Sequence, residues 1–148
     1  MNNNEKIIPA AEFNESWSRW DLAPGIAGNY GIQGVHDDLD GFKILLLHDN
    51  TNQKVELFFP DSVWAYRSTT DSFRYDLFGK LFIKYDKDFY QEHAFFKVEQ
   101  SIYLQWIVDE SGGILNDYKD FQHLVIKGIN SMLDIVVSKG ETPKVKFL

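Results

Sequence analysis

The chain is predicted to fold as an α+β domain: an antiparallel β-sheet of six or more strands, with a short aromatic helix at about residues 101–111 packed on it. Three observations lead there. Short apolar/polar alternations recur along the chain between Gly, Asn, Asp and Pro, which is strand and turn chemistry. Aromatic residues make up 16% of the sequence (12 Phe, 7 Tyr, 4 Trp) against only 2 Met, so the core is expected to be built from large rings. The last third reads as strand, helix, hairpin and terminal strand. At 148 residues the chain is expected to form one domain, 1–148, that buries roughly 70% of its unfolded surface.

Residues 1–8 are polar and expected to fray. In 11–20, Phe13, Trp17 and Trp20 recur at spacings of four and three, which predicts a short helix ended by Pro24 and Gly25. Glycines then argue against helix, and strand pieces are expected near 30–35, followed by a loop over 36–41. Residues 42–49 and 53–59 read as a hairpin across Asn50-Thr51-Asn52, with Val55, Leu57 and Phe59 on one face. A further strand is expected after Pro60, with Trp64 and Tyr66 on one side and Val63, Ala65 and Arg67 on the other.

The stretch 71–90 is predicted as a loop or short helix followed by a strand near 80–85. Residues 93–98 read as a strand. Ser101 has the position and chemistry of an N-cap for a helix over Ile102 to Glu110, stopped by Gly112-Gly113. That helix is apolar nearly all round, so it is expected to be sandwiched against the sheet, with Trp106 in the core alongside Phe95 and Phe96. The final hairpin joins 121–127 to 132–137 across Gly128-Ile129-Asn130-Ser131. A four-residue loop pairs Lys127 with Met132 and Val125 with Asp134. Leu124, Ile126, Leu133, Ile135 and Val137 then face the core, while His123, Lys127 and Asp134 fall on the other face within diagonal reach. A last strand follows Pro143.

Bulk composition narrows function. There are no cysteines, which removes disulfides, thiolate metal sites and cysteine nucleophiles and suits a cytoplasmic protein. The start, MNNNEKIIPAAEFNESW, lacks the basic and apolar regions of a secretion signal, and no run of about 18 apolar residues predicts a membrane span. The net charge of −7 disfavours nucleic acid and anionic lipid as partners and favours a basic protein.

No local pattern carries catalytic chemistry. The cluster His36-Asp37-Asp38-Leu39-Asp40 lacks the Glu offset of a calcium loop, and His48 is twelve residues away, so a turn with solvated carboxylates is the simpler reading and no metal is expected. His36, His48, His93 and His123 are scattered. Gly25, Gly28, Gly31 and Gly34 recur every three residues, but they precede strands and not a helix, which fits turns or bulges better than a phosphate cradle. Arg67 and Arg74, two of the three arginines, bracket Asp71; they could clamp an anion, but an internal Arg–Asp pair is favoured. No cofactor is expected.

The stretch FFKVEQSIYLQWIVDESGGI, followed by FQHLVIKG, MLDIV and PKVKFL, resembles a loose group of small bacterial proteins with a Phe-rich strand, an S-x-Y-x-x-W helix, an H-x-x-I strand and a closing P-x-V. Here these are Phe95, Phe96 and Val98; Ser101, Tyr103 and Trp106; His123 and Ile126; Pro143 and Val145. The segment 65–71 is similar too, so the resemblance covers about half the chain. It is a resemblance to immunity proteins of polymorphic-toxin and contact-dependent-inhibition systems. It implies a non-catalytic protein that binds a cognate bacterial toxin domain, possibly a basic nuclease, and occludes its active site. No universal functional residues come with it. Candidate contacts are therefore the loop acids Asp37, Asp38, Asp40, Asp71, Asp109, Glu110, Asp117 and Asp120, with Tyr118 or Tyr90 as an aromatic anchor. The alternative is a small-molecule-binding or enzymatic α+β domain, in which Arg67, Arg74 and a histidine would line a cavity.

Overall fold

The order of elements is β1 (Ser16–Arg19), β2 (Tyr30–Asp38), β3 (Gly41–His48), β4 (Lys54–Phe59), β5 (Val63–Thr70), α1 (Tyr75–Tyr85), β6 (Phe95–Glu99), α2 (Ile102–Glu110), β7 (Phe121–Lys127), β8 (Ser131–Ser138) and β9 (Lys144–Phe147). This computed structural model describes residues 13–148 except Ser62 and Asn116, and does not describe the side chain of Tyr118. The expected fraying of residues 1–8 lies outside the described residues. The class is α+β, as predicted. Its antiparallel strands divide between two sheets, one ordered β1-β6-β7-β8-β5 and one ordered β2-β3-β4-β9. No described helix is long and apolar enough to cross a membrane.

The two sheets share the main core. Phe42, Ile44, Leu46, Val55, Leu57 and Phe59 from the four-stranded sheet meet Phe95, Leu124, Ile126, Leu133, Ile135 and Val137 from the other. Each such side chain, fully buried, is worth about 1.5–3 kcal/mol of transfer free energy. The five-stranded sheet is buried on its second face as well. There α1 lays Leu77, Phe78, Leu81 and Tyr85 over Phe96, Val98, Val125 and Met132. The opposite end of that face is covered by α2, through Tyr103, Leu104, Ile107 and Val108 against Val136, Ala65 and Phe121. The layers are thus helices, five-stranded sheet, four-stranded sheet and solvent.

The final hairpin has the predicted register: Lys127 opposes Met132, Val125 opposes Asp134, and Leu124 opposes Ile135. The Ser101 cap is also present, its side chain accepting the Leu104 N–H. Gly25 and Gly28 hold positive φ in turns, and a bulge falls between Ile32 and Gly34.

Several expectations are corrected. The helix predicted over 11–20 is the strand β1, paired to β6. A three-residue spacing puts Trp17 and Trp20 on opposite faces of a strand. Both faces are covered here: Trp17 packs on Phe96, and Trp20 meets Phe95 edge-on. The loop expected over 36–41 is mostly strand, because β2 continues to Asp38 and leaves only Leu39 and Asp40 to turn. The strand expected at 80–85 is the second half of α1, which runs unbroken through Gly79; Leu77, Leu81 and Tyr85 share one helical face, and that tertiary contact outweighs the glycine. The bulge between Val63 and Ala65 overturns the predicted facing of β5. Trp64 joins Ala65 on the helix side, where it meets Phe121, while Tyr66 turns inward onto Phe42. Finally, α2 is covered on one side only: Ile102 and Trp106 are exposed, so Trp106 is not a core residue.

Candidate functional site

Polar chemistry concentrates in two places: a buried cluster under the helices, and an acidic groove at one end of the sandwich.

The cluster grows from the alternation of β8. With Leu133, Ile135 and Val137 in the main core, Met132, Asp134 and Val136 must face the helices. Met132 and Val136 are covered by α1 and α2, and Asp134 lies fully buried between them. Its Oδ2 accepts from Arg67 Nε at 2.9 Å and from Arg74 Nη1 at 2.6 Å. Its Oδ1 lies 2.7 Å from His123 Nε2. His123 Nδ1 lies 2.7 Å from Ser101 Oγ, which also accepts the Leu104 N–H at 2.9 Å. The Arg67 guanidinium covers the Tyr103 ring at 4.2 Å. Burial pushes the Asp134 carboxyl up, but the hydrogen bond and charge of His123, then Arg74 and Arg67, outweigh burial and hold it well below the usual carboxylate range. One carboxylate thereby joins β5, the turn before α1, β7 and the cap of α2.

The expectation that Arg67 and Arg74 pair with Asp71 is corrected here. The pairing is internal, but its carboxylate is Asp134, sixty residues or more from either arginine in sequence. The two arginines and His123 converge on this buried acid, and on the side away from the arginines His123 and Ser101 also line a cleft of about 350 Å³ with Lys97, Lys119 and Lys139. An open cleft of about 770 Å³ lies elsewhere, beside Arg19, Trp20, Asp21, Glu92 and His93. Its Arg19 already donates to the carbonyls of Asp88 (2.6 Å) and Phe89 (3.0 Å).

The groove lies where the β2–β3 turn, the β4–β5 connection and the segment after β8 come together. It encloses about 530 Å³ and is walled by Asp37, Asp38, Asp61, Glu141, Leu39 and Trp64. No Lys or Arg lines it among the described residues. Asp38 Oδ1 accepts the Asp40 N–H at 2.8 Å, which shapes the tip. Gly41 closes the turn at φ 131°, where a Cβ would sit 2.8 Å from the Phe59 carbonyl oxygen, so only glycine fits. At the tip Leu39 is fully exposed, and Trp64 is 50% exposed at the wall. The indole donates to Ser138 Oγ at 3.1 Å and is held there. Glu141 Oε1 is buried with no hydrogen-bond partner among the described residues. Burial raises the Glu141 carboxyl above its ordinary range, and the Asp61 charge raises it further.

The structure disperses the remaining candidates. Asp40 sits at the tip beside Asp37 and Asp38. Asp71 begins the turn before α1, half-buried. Asp109 and Glu110 end α2, exposed, with Asp109 Oδ1 accepting from Gln105 Nε2 at 2.9 Å. Asp117 precedes and Asp120 ends the short 3₁₀ turn beside α2. The side chain of Tyr118 lies outside the described residues. Tyr90 is half-buried against Phe78 and is not an exposed anchor. Asp61, Glu141, Leu39 and Trp64 complete the groove but were not among the sequence candidates. Eighty residues separate Asp61 from Glu141, and no local pattern marks either. Among the described residues no three His, Asp or Glu side chains converge as metal ligands would.

Compared with family models, curated proteins and solved structures, the chain matches none of them.

Proposed function

We propose that this chain is an immunity protein, which binds a basic bacterial toxin domain and occludes its active site, with the acidic groove as its principal contact. The observation that carries the reading is the groove itself: four carboxylates with no neutralising cation among its described lining residues, set around an exposed Leu39 and a fixed, half-exposed Trp64. Carboxylates of one sign steer a cationic partner and speed encounter, while a rigid aromatic supplies the desolvated anchor. An Arg or Lys entering beside Glu141 gives its unpartnered oxygen a donor and screens it from Asp61. The overall charge of −7 acts in the same direction at longer range. The test is co-expression with the protein encoded beside this one. Growth is expected to be rescued by the wild type and lost with Trp64→Ala plus Asp61→Lys. A neighbour that is harmless, or that this chain does not bind, removes the reading.

A second reading rests on the hydrogen-bonded chain Ser101–His123–Asp134, whose residue types are those of acyl-transfer catalysis. Two features weigh against it. Ser101 Oγ already caps α2 and is buried, and two guanidiniums occupy the far oxygen of Asp134. Covalent labelling by a fluorophosphonate probe, lost in Ser101→Ala, is the result that favours the enzyme.

A further inference from the structure

The ladder between β6 and β7 ends at the pair Val98–His123. Just beyond it Gln100 takes a left-handed conformation (φ 54°) and turns the chain into α2. β7 begins at Phe121, so Phe121 and Gln122 have no partner on β6. The strands part there and leave the cleft of about 350 Å³ beside Ser101 and His123. Three lysines line it, each from a different stretch of chain: Lys97 in β6, Lys119 in the 3₁₀ turn before β7, and Lys139 just after β8. Val98, Leu104 and Phe121 give it an apolar wall.

The charge of this cleft opposes that of the molecule. The chain carries −7, yet the lining here has three lysines and one carboxylate, Glu99. Asp117 and Asp120 lie near Lys119 in the chain but do not line the cleft. Among the described residues none of the three lysines pairs with a carboxylate. Lys97 instead rests over the Trp20 ring, 5.6 Å from its centroid. Gathering like charges costs free energy while nothing neutralises them. Solubility does not call for it, because an acidic surface already supplies that. Nor does the start of α2 account for the site: Glu15 and Ser101 already accept its Ile102 and Leu104 N–H groups.

We propose that this cleft binds a small organic anion with a doubly charged head, a phosphate monoester or a dicarboxylate, its head among Lys97, Lys119 and Lys139 and its organic part against Leu104 and Phe121. The volume suits such a molecule, at the small end of ligand pockets. Lys119 and Lys139 are exposed, so water screens their charge and the affinity is modest, on the order of 1 mM for inorganic phosphate alone. The apolar wall adds affinity for an anion that carries a ring. The site shares no lining residue with the acidic groove, and the inference does not depend on the groove's role.

Amide NMR on the full chain, titrated with inorganic phosphate, phenyl phosphate and phthalate at constant ionic strength, tests this without any partner protein. Saturable shifts are expected at residues 97–104, 119–123 and 139, with phenyl phosphate binding about tenfold tighter than inorganic phosphate because its ring is buried. Whichever of phenyl phosphate and phthalate binds tighter identifies the head as phosphate or paired carboxylate. Lys119→Glu with Lys139→Glu reverses two exposed charges, so the melting temperature should hold while binding weakens about tenfold or more. Lys119→Gln with Lys139→Gln serves if that variant does not fold. Lys144→Glu with Lys146→Glu makes the same change in net charge on exposed positions of β9 and should alter binding less than about twofold. Shifts that fail to saturate by about 50 mM, or that spread evenly over the other lysines, overturn the proposal. A β9 variant that weakens binding as much as the cleft variant overturns it as well. None of these results bears on the groove, whose test is rescue of growth.

Discussion

His123 Nε2 and Asp134 Oδ1 lie 2.7 Å apart, yet the two residues are not paired in the β7–β8 ladder: Asp134 opposes Val125 and His123 opposes Val136. The contact is a diagonal one across the hairpin, on the face that the helices cover. It places a carboxylate on a face otherwise built from Met132, Val136 and Val125, and the stability predicted for Asp134 and its arginines depends on how that carboxylate is satisfied.

Replacing Asp134 by Asn is expected to cost about 3–5 kcal/mol at neutral pH, because Arg74, Arg67 and His123 lose their common partner in a buried site. The pH dependence has a definite sign. The Asp134 carboxyl is depressed in the folded protein, so its stabilisation is complete above the ordinary carboxylate value and declines as pH falls below about 4. Urea unfolding from pH 7 to pH 2 should show a steep acid loss in the wild type and a flatter one in Asp134→Asn. Parallel curves would mean that Asp134 is not the group being titrated.

The two arginines should not be equivalent. The Arg74 side chain is 13% exposed and that of Arg67 43%. Arg74→Ala is expected to cost about 2–4 kcal/mol, and Arg67→Ala about 1 kcal/mol less, since water can replace part of the more exposed partner. Chemical denaturation of both variants gives the order, and a larger loss for Arg67 contradicts it.

Ser101→Ala removes the α2 cap and the contact to His123 Nδ1 together. A loss of about 1–2 kcal/mol follows. Ser101→Thr keeps the oxygen and should recover part of it. Thermal melts of both variants make the comparison, and equal losses would show that the hydroxyl is not what holds the helix end.

Glu141→Gln should move stability and binding in opposite directions. The Glu141 carboxyl is raised in the free protein, so its charge is a liability above its shifted value and none below the ordinary one. At neutral pH the variant is expected to gain about 0.5 kcal/mol in stability. Its affinity for a cationic partner should fall, and wild-type affinity should rise as pH climbs through the range just above the usual glutamate value. Calorimetric titration at several pH values reads both effects; a variant that binds as tightly as the wild type would separate Glu141 from the contact.

Trp64→Ala is expected to weaken partner binding about 30-fold or more, the scale of a central aromatic anchor. It should also cost some stability, because the ring rests edge-on against Phe121 at 5.7 Å. Trp64→Phe keeps that packing and loses the indole donor to Ser138, so it should bind better than the alanine variant and melt close to the wild type. A surface-bound kinetic assay with the partner ranks the three.

The elements that were legible in the chain are those whose partners are close in sequence. The hairpin register, the Ser101 cap, the inward faces of β4, β7 and β8, and the proximity of His123 to Asp134 all follow from a period of two and from the composition of one turn. Three of the groove's acidic neighbours, Asp37, Asp38 and Asp40, were visible for the same reason: they crowd one turn.

Tertiary structure decided the rest, because in each case a distant surface outweighed a local preference. Residues 16–19 are a strand because β6 offers an edge and both faces are covered, which puts Trp17 and Trp20 in different cores. Residues 80–85 are helix because the sheet needs the apolar side of Leu77, Leu81 and Tyr85, and this contact overrides Gly79. A bulge in β5 turned Trp64 toward the helix side and the groove. Arg67 and Arg74 passed over neighbouring Asp71 for Asp134, since a buried carboxylate gains far more from a guanidinium than an acid already solvated by water. Asp61 and Glu141 became neighbours only when the sheets closed on each other. Local periodicity is written in the order of residues, but the partner of a buried charge depends on which distant surfaces meet.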